Sequence, residues 1–248
     1  MEYTFSKPLQ KGILISRPNR FIMFVEAGGK LLRCRCPSPT KIGNLDFKKN
    51  PCFLSENMGK CKTLYTVEAI HIFERGKKGF WLGINQTRIN RICEYFIKQG
   101  AFAQLVKDIK FRRDGKYGTS RIDFVSKGTL LEIKTPLTVL PTQNPRAFFS
   151  NYTHHGDYER TIKHYSALTR FARTGKRAIV LLAYIYPAPL FDITKQNGNN
   201  KRLLKSFREA QESGVEFWQA NFGINRYGIR LLKYRRLIFK LRSRPVPY

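Results

Sequence analysis

At 248 residues, with 42% hydrophobic and 13% aromatic side chains, the chain carries enough apolar material for one large core or two smaller ones, which excludes a disordered basic tail. Its 46 Lys and Arg against 17 Asp and Glu give a formal net charge of +29, and self-repulsion of that size points to a polyanionic partner. No run approaches membrane-spanning length and the opening MEYTFSKPLQKG has no apolar signal region, so neither a membrane span nor signal-directed secretion is expected.

Residues 1–82 read as short strands separated by turns. Residues 12–15 (GILI) and 21–25 (FIMFV) are apolar, and 30–36 (KLLRCRC) completes a hairpin across Gly28 and Gly29. A polar loop over 37–44 precedes further strands at 53–55 and 63–73. Short strands at this spacing predict a small barrel. Arg17, Arg20, Arg33 and Arg35 interleave with Phe21 and Phe24, a mixture that suits single-stranded nucleic acid, where bases stack and cations hold phosphates. Core aromatics beside solvated arginines would have the same composition.

Five cysteines, Cys34, Cys36, Cys52, Cys61 and Cys93, form no disulfide framework. A zinc site from Cys34, Cys36, Cys52 and Cys61 is disfavoured by the two-residue step between the first pair. Reduced thiols in a cytoplasmic or nucleoid setting are the expectation.

From residue 83 the character changes. Residues 90–105 place Ile92, Cys93, Phe96 and Ile97 at helical spacing. A strand is expected over 107–111, then a basic loop over 112–118 containing Arg112, Arg113 and Lys116. Two strands, 121–126 and 129–135, flank Lys127 and Gly128. Helices over 158–174 and 201–213 alternate with strands over 177–184 and 215–218, so the second part reads as an α/β domain. The tail from 226 to 244 includes Arg230, Lys233, Arg235 and Arg236 and no acid; strands followed by a loose end are expected, with phosphate binding as the role.

Two carboxylates stand out in this acid-poor chain because they interrupt apolar strands: Asp123 and Glu132. Glu132 and Lys134 point to one side of their strand, and a hairpin would bring Asp123 to the same side. Two carboxylates with one ammonium are what a Mg²⁺- or Mn²⁺-assisted phosphodiester hydrolysis needs: hard oxygen ligands and a cation beside the attacking water. An ordinary surface ion pair is the alternative. His164 lies one helical turn past Arg160 and could face this site, and His154 and His155 could contact phosphate. Asp, Glu and Lys already complete a magnesium site, however, so a catalytic histidine is the secondary reading.

Asp…Glu-x-Lys on adjacent strands after a helix resembles the PD-(D/E)xK nuclease superfamily. Over nearly the whole chain the sequence resembles the sugar fermentation stimulation protein family, SfsA. The resemblance is carried by Phe5, Pro8, Leu9 and Gly12, by Ile15, Arg17, Asn19, Arg20 and Phe21, and by Cys36 and Pro37. It continues through LGIN at 82–85, KYG at 116–118, SRIDF at 120–124, EIK at 132–134, Lys163 with His164, and GVE at 214–216. It implies an α+β and α/β chain: an OB-fold-like β-barrel over 1–82, then a restriction-endonuclease-like PD-(D/E)xK domain over 83–248 with the basic tail. It further implies metal-dependent cleavage of DNA or RNA, with Asp123 and Glu132 as metal carboxylates and Lys134 as the catalytic lysine. Glu94 matches an acidic position able to reach the metal, and Arg121 joins the nucleic-acid-binding cations. Departures from the family pattern fall at Ser38–Gly43, at Ser150–Thr153, at His155 and at Thr135. A silent nuclease fold that only binds nucleic acid is the competing expectation, with a homodimer compatible with either.

Overall fold

In the computed structural model, residues 1–37, 47–59, 61–74, 77–106, 110–135, 155–192 and 201–239 are described. The first sheet contains β2 (Gln10–Ser16), β3 (Ile22–Ala27), β4 (Lys30–Arg35), β5 (Pro51–Glu56), β6 (Tyr65–Glu74) and β7 (Lys77–Gly83). They run in the order β4-β3-β2-β5-β6-β7, and β4 also pairs with β6 in parallel through Cys34↔Tyr65 and Arg35↔Thr66. That last pairing closes five strands, β2 to β6, into an OB-like barrel and leaves β7 as an extension. The expected hairpin is present: β3 and β4 pair in register from Ile22↔Arg35 to Ala27↔Lys30, and Gly28 and Gly29 both take positive φ (58° and 71°). Alternation along β3 buries Met23, Val25 and Ala27, so the barrel interior is apolar.

The second sheet has the order β1-β13-β12-β11-β10-β9-β8. Its strands are β1 (Glu2–Thr4), β8 (Arg112–Tyr117), β9 (Ser120–Val125), β10 (Thr129–Lys134), β11 (Arg177–Tyr184), β12 (Glu216–Ile224) and β13 (Gly228–Leu237). Helix α1 (Ile89–Lys98) follows the barrel; α2 (His155–Ala172) precedes β11, and α3 (Lys201–Glu212) precedes β12. The β10–β11 and β11–β12 pairs are parallel, as strands joined through helices must be, and the other pairs are antiparallel. The apolar side of α1 (Ile92, Cys93, Phe96) joins one core with Phe124, Leu131 and Ile179. Leu168 and Phe171 of α2 join the other with Leu130 and Val180. Central β11 is buried along Ala178–Tyr184, which explains its unbroken apolar sequence.

Three elements differ from expectation. Residues 112–117, expected as a basic loop, form β8 and pair with β9 from Arg112↔Val125 to Tyr117↔Ser120. Gly115 makes this pairing fit, because a Cβ there would meet Val125 at 2.6 Å; residues 107–109 of the strand expected just before lie outside the described set. Glu2–Thr4, expected with the barrel, pairs with β13 instead, through Glu2↔Arg230 and Thr4↔Gly228. The basic tail contributes one ten-residue strand, β13, running along β12, while residues 240–248 lie outside the described set.

Barrel and sheet meet along a tight seam. The Gly83 amide donates to the Ile185 carbonyl (2.8 Å) and the Ile84 amide to the Glu68 carbonyl (2.9 Å). Glu68, a residue 2% exposed, accepts through its side chain from Asn85 Nδ2 (2.9 Å), from the Ser55 hydroxyl and from Arg88, whose guanidinium lies 2.9 Å away. A buried carboxylate needs such partners, and here they come from both sides of the seam.

Candidate active site

A cavity of about 730 Å³ opens where the barrel faces the β9–β10 hairpin. Asp123, Glu132, Lys134 and Asn90 line it from the second domain, together with Arg160 of α2; Phe21, Arg35, Cys36 and Pro37 line it from the barrel.

Local strand geometry builds the site. The β9–β10 ladder runs through Leu130↔Val125 and Leu131↔Phe124. Beyond it the Asp123 carboxylate replaces a main-chain acceptor: its Oδ2 takes the Ile133 amide (2.8 Å), and its Oδ1 takes Asn90 Nδ2 (2.8 Å) from α1. Ile122 and Phe124, two residues apart, pack in different cores, so β9 turns its faces over at Asp123. Glu132, 2% exposed, has Lys134 Nζ at 2.7 Å from its Oε1, and His164 Nδ1 of α2 contacts the same oxygen. His164 Nδ1 is also 3.2 Å from Lys134 Nζ. One ring nitrogen cannot donate to Glu132 and accept from Lys134 together, so an Nδ1–H donating to Glu132 leaves the ammonium bonded to the carboxylate alone.

The electrostatics divide the two carboxylates. Burial raises Asp123 above its ordinary value, and the Glu132 charge adds to this against the opposing Ile133, Asn90 and Lys134 contributions. Burial also pushes Glu132 upward, but the His164 hydrogen bond and the Lys134 charge outweigh it, so Glu132 sits below the usual range. One carboxylate is thus ionised firmly while its neighbour resists sharing the space as a second anion, a tension that a bound cation relieves.

The other singled-out residues fall in several places. Glu94, matched to a metal position, is taken by Lys98 (2.8 Å) and Arg113 (3.3 Å). It does not line the cavity, and among the described residues no group of three or more His, Cys, Asp or Glu side chains surrounds a common point. Glu94 thus stands apart from this cavity in the structure, while on the same helix Asn90, one turn earlier, reaches Asp123. Arg35 lines the cavity; Arg17 bonds the Arg20 carbonyl (3.1 Å) and Arg33 the Lys62 carbonyl (3.3 Å). Arg112, Arg113, Lys116 and Arg121 lie on β8 and β9, and Arg121 pairs with Asp114 (3.3 Å). Arg230, Lys233, Arg235 and Arg236 are exposed on β13, three strand spacings, or roughly 14 Å, from β10. His154 lies outside the described residues. His164 was accessible from the sequence through its helical spacing from Arg160 and through the family resemblance at Lys163 and His164. Asn90 carried no such signal, because a lone amide on an amphipathic helix is ordinary. No helix among the described residues is long and apolar enough to cross a membrane.

Comparison with known proteins agrees with the shape of the chain. The family model "Sugar fermentation stimulation protein RE domain" matches residues 87–228. A sugar fermentation stimulation protein homolog of Synechococcus sp. (strain JA-3-3Ab) is 30% identical over 242 residues, covering 95% of this chain and 96% of that protein. A homolog of Alcanivorax borkumensis is 29% identical over 230 residues, with 86% and 90% covered. The solved structure of Pyrococcus furiosus SfsA in complex with Ca²⁺ superposes with a TM-score of 0.70 at 22% identity, over 94% of this chain and 97% of that one. A match to the family model over more than half of the chain, with full-length relatives on both sides of the seam, means that this chain belongs to the sugar fermentation stimulation protein (SfsA) family.

Proposed function

We propose that the chain hydrolyses phosphodiester bonds of nucleic acid with a divalent metal, in the cavity between barrel and sheet. The observation that carries this is the convergence of Asp123, Glu132 and Lys134 on one cavity whose other wall supplies Arg35. The donor set fits Mg²⁺ or Mn²⁺: one buried and one half-buried carboxylate, hard oxygen donors whose ionisation is in tension, leave the remaining coordination positions to water and phosphate. The Ca²⁺ held by the Pyrococcus furiosus relative supports a divalent ion in this family. Asp123 and Glu132 would hold the ion, which when bound polarises the phosphoryl oxygen and lowers the pKa of water. Asn90 and the Ile133 amide fix the Asp123 carboxylate, so its free lone pairs point into the cavity without reorganising. His164 holds Glu132, and Lys134 places a positive charge where charge builds up on the phosphate. Arg35 and the cations of β8, β9 and β13 draw the polyanion in.

One contact favours a second reading. Lys134 and His164 already satisfy Glu132 Oε1, a cluster that is stable with no metal at all, as a non-catalytic binding protein would have. Cleavage of labelled single- and double-stranded DNA and RNA with Mg²⁺, Mn²⁺ or EDTA, wild type beside Glu132→Ala, separates the two. Metal-dependent cutting lost in the variant supports hydrolysis. Salt-sensitive binding with no cutting by either protein leaves binding as the function.

A further inference from the structure

Phe21 is an exposed aromatic placed with unusual care. It precedes β3 on a turn in which Asn19 Oδ1 accepts from both the Phe21 amide (2.9 Å) and the Ile22 amide (3.0 Å). The Phe21 carbonyl accepts from the Cys36 amide (2.7 Å), and the Arg20 guanidinium stands 4.7 Å from the ring centroid. The residue is nonetheless 53% exposed, and it lines the same cavity as Asp123 and Glu132. The hydrogen bonds fix the backbone of this residue while much of its ring stays in water, so beyond the contact with Arg20 the ring adds little to the fold. Two further cations line this cavity, Arg35 on the barrel and Arg160 on α2, and among the described residues neither has a hydrogen-bond or ion-pair partner. An aromatic ring that shares one cavity with two guanidiniums lacking a partner among the described residues matches a base with its neighbouring phosphates.

We infer, taking the cavity as the hydrolytic site proposed above, that its substrate is a single-stranded polynucleotide, with one base stacked on Phe21 and neighbouring phosphates held by Arg35 and Arg160. A duplex cannot use this arrangement. Its base faces are covered by their neighbours, and offering one to Phe21 requires unstacking and unpairing it first. A single strand offers base faces without that cost, and stacking tolerates any base, so little sequence preference follows. The barrel is therefore the part that selects strandedness, and the carboxylates of the second domain receive the strand it presents.

Binding without cutting tests this directly. Fluorescence anisotropy in EDTA, with the full chain, compares a labelled 12-nucleotide single strand with its duplex, in DNA and in RNA versions. Wild type should bind at least one single strand tenfold or more tighter than its duplex, and the DNA and RNA arms identify which sugar is preferred. Phe21→Ala should weaken single-strand binding by about tenfold, the loss of one base–aromatic stack, and leave duplex binding unchanged. Phe21→Trp should restore it, with indole fluorescence quenched by the strand, while Phe21→Leu, which keeps bulk without the π face, should not. Equal affinity for strand and duplex, or equal weakening of both by Phe21→Ala, overturns the inference. Failure here alongside cutting that needs Glu132 refutes only the strand preference. Selective binding without cutting refutes only the hydrolysis.

Discussion

Removing Arg88 tests what holds the barrel against the sheet. Its guanidinium lies 2.9 Å from the Glu68 carboxylate and 3.3 Å from the Ser55 hydroxyl, and the Glu68 side chain is only 1% exposed. Breaking a fully buried ion pair by deleting one partner costs about 3–5 kcal/mol, and one hydrogen bond to a charged group contributes roughly 1.5–3 kcal/mol. Glu68 would keep Asn85 and Ser55 as donors, and the Arg88 side chain is 32% exposed, so water reaches part of the gap. Arg88→Ala should therefore cost about 2–3 kcal/mol, which for a chain of this size lowers Tm by about 5–10 °C. Arg88→Lys, with one ammonium in place of the fork, should recover part of this. Urea titration and thermal melts of Arg88→Ala, Glu68→Gln and the double variant measure the coupling. A loss below about 0.5 kcal/mol for Arg88→Ala, or a double variant whose loss is simply the sum of the singles, would refute the pairing as the fastener of the seam.

Three more outcomes follow from the geometry. Asn90→Ala removes the 2.8 Å donor to Asp123 Oδ1, about 1.5 kcal/mol of positioning, and should raise the half-saturating Mg²⁺ for cleavage about tenfold; an unchanged metal titration would remove Asn90 from the site. Glu216 is pushed up by burial but held below the usual carboxylate range by Arg177 and the Trp218 indole, aided by Arg236. Its stabilisation is thus complete above the ordinary carboxyl pKa of about 4.3 and disappears as pH falls through the lower native value; the urea midpoint of wild type should exceed that of Glu216→Gln at pH 6, with the gap closing towards pH 3. Burial pushes the thiols of Cys34 to about 11 and Cys52 to about 12, and Cys36 and Cys93 are also buried, so native protein treated with iodoacetamide at pH 7 should carry one adduct by mass spectrometry, on exposed Cys61. Early labelling at Cys34 or Cys52 would contradict the closed barrel core.

That Asp123, Glu132 and Lys134 come together was legible because charge inside apolar strands is costly and so draws the eye in an acid-poor chain. The barrel was legible from strand spacing and the Gly28–Gly29 hairpin. What escaped depended on distance in three dimensions. His164 reaches Glu132 because α2 lies against β10, and spacing within one helix cannot say which strand the helix meets. Phe21 and Asp123 share a cavity although a hundred residues separate them. Arg112–Tyr117 has the composition of a loop, and only pairing with β9 makes it a strand, a case of tertiary structure overriding propensity. Glu2–Thr4 is too short for any periodicity to show, and its partner comes from the other end of the chain.

That three-residue pairing has a consequence for how the molecule keeps to itself. β1 covers only Gly228, Ile229 and Arg230 of β13, so among the described strands the run from Leu231 to Leu237 has a neighbour on one side alone. An open strand edge is a template on which a second molecule can add, and lysine and arginine along it are a standard deterrent. Lys233, Arg235 and Arg236 stand on that stretch with side chains exposed. Whatever phosphates they meet, these cations also make edge-to-edge stacking of two copies a meeting of like charges. Part of the +29 then acts as insulation, and replacing the three with threonines should give a chain that folds and then pairs edge to edge with a second copy.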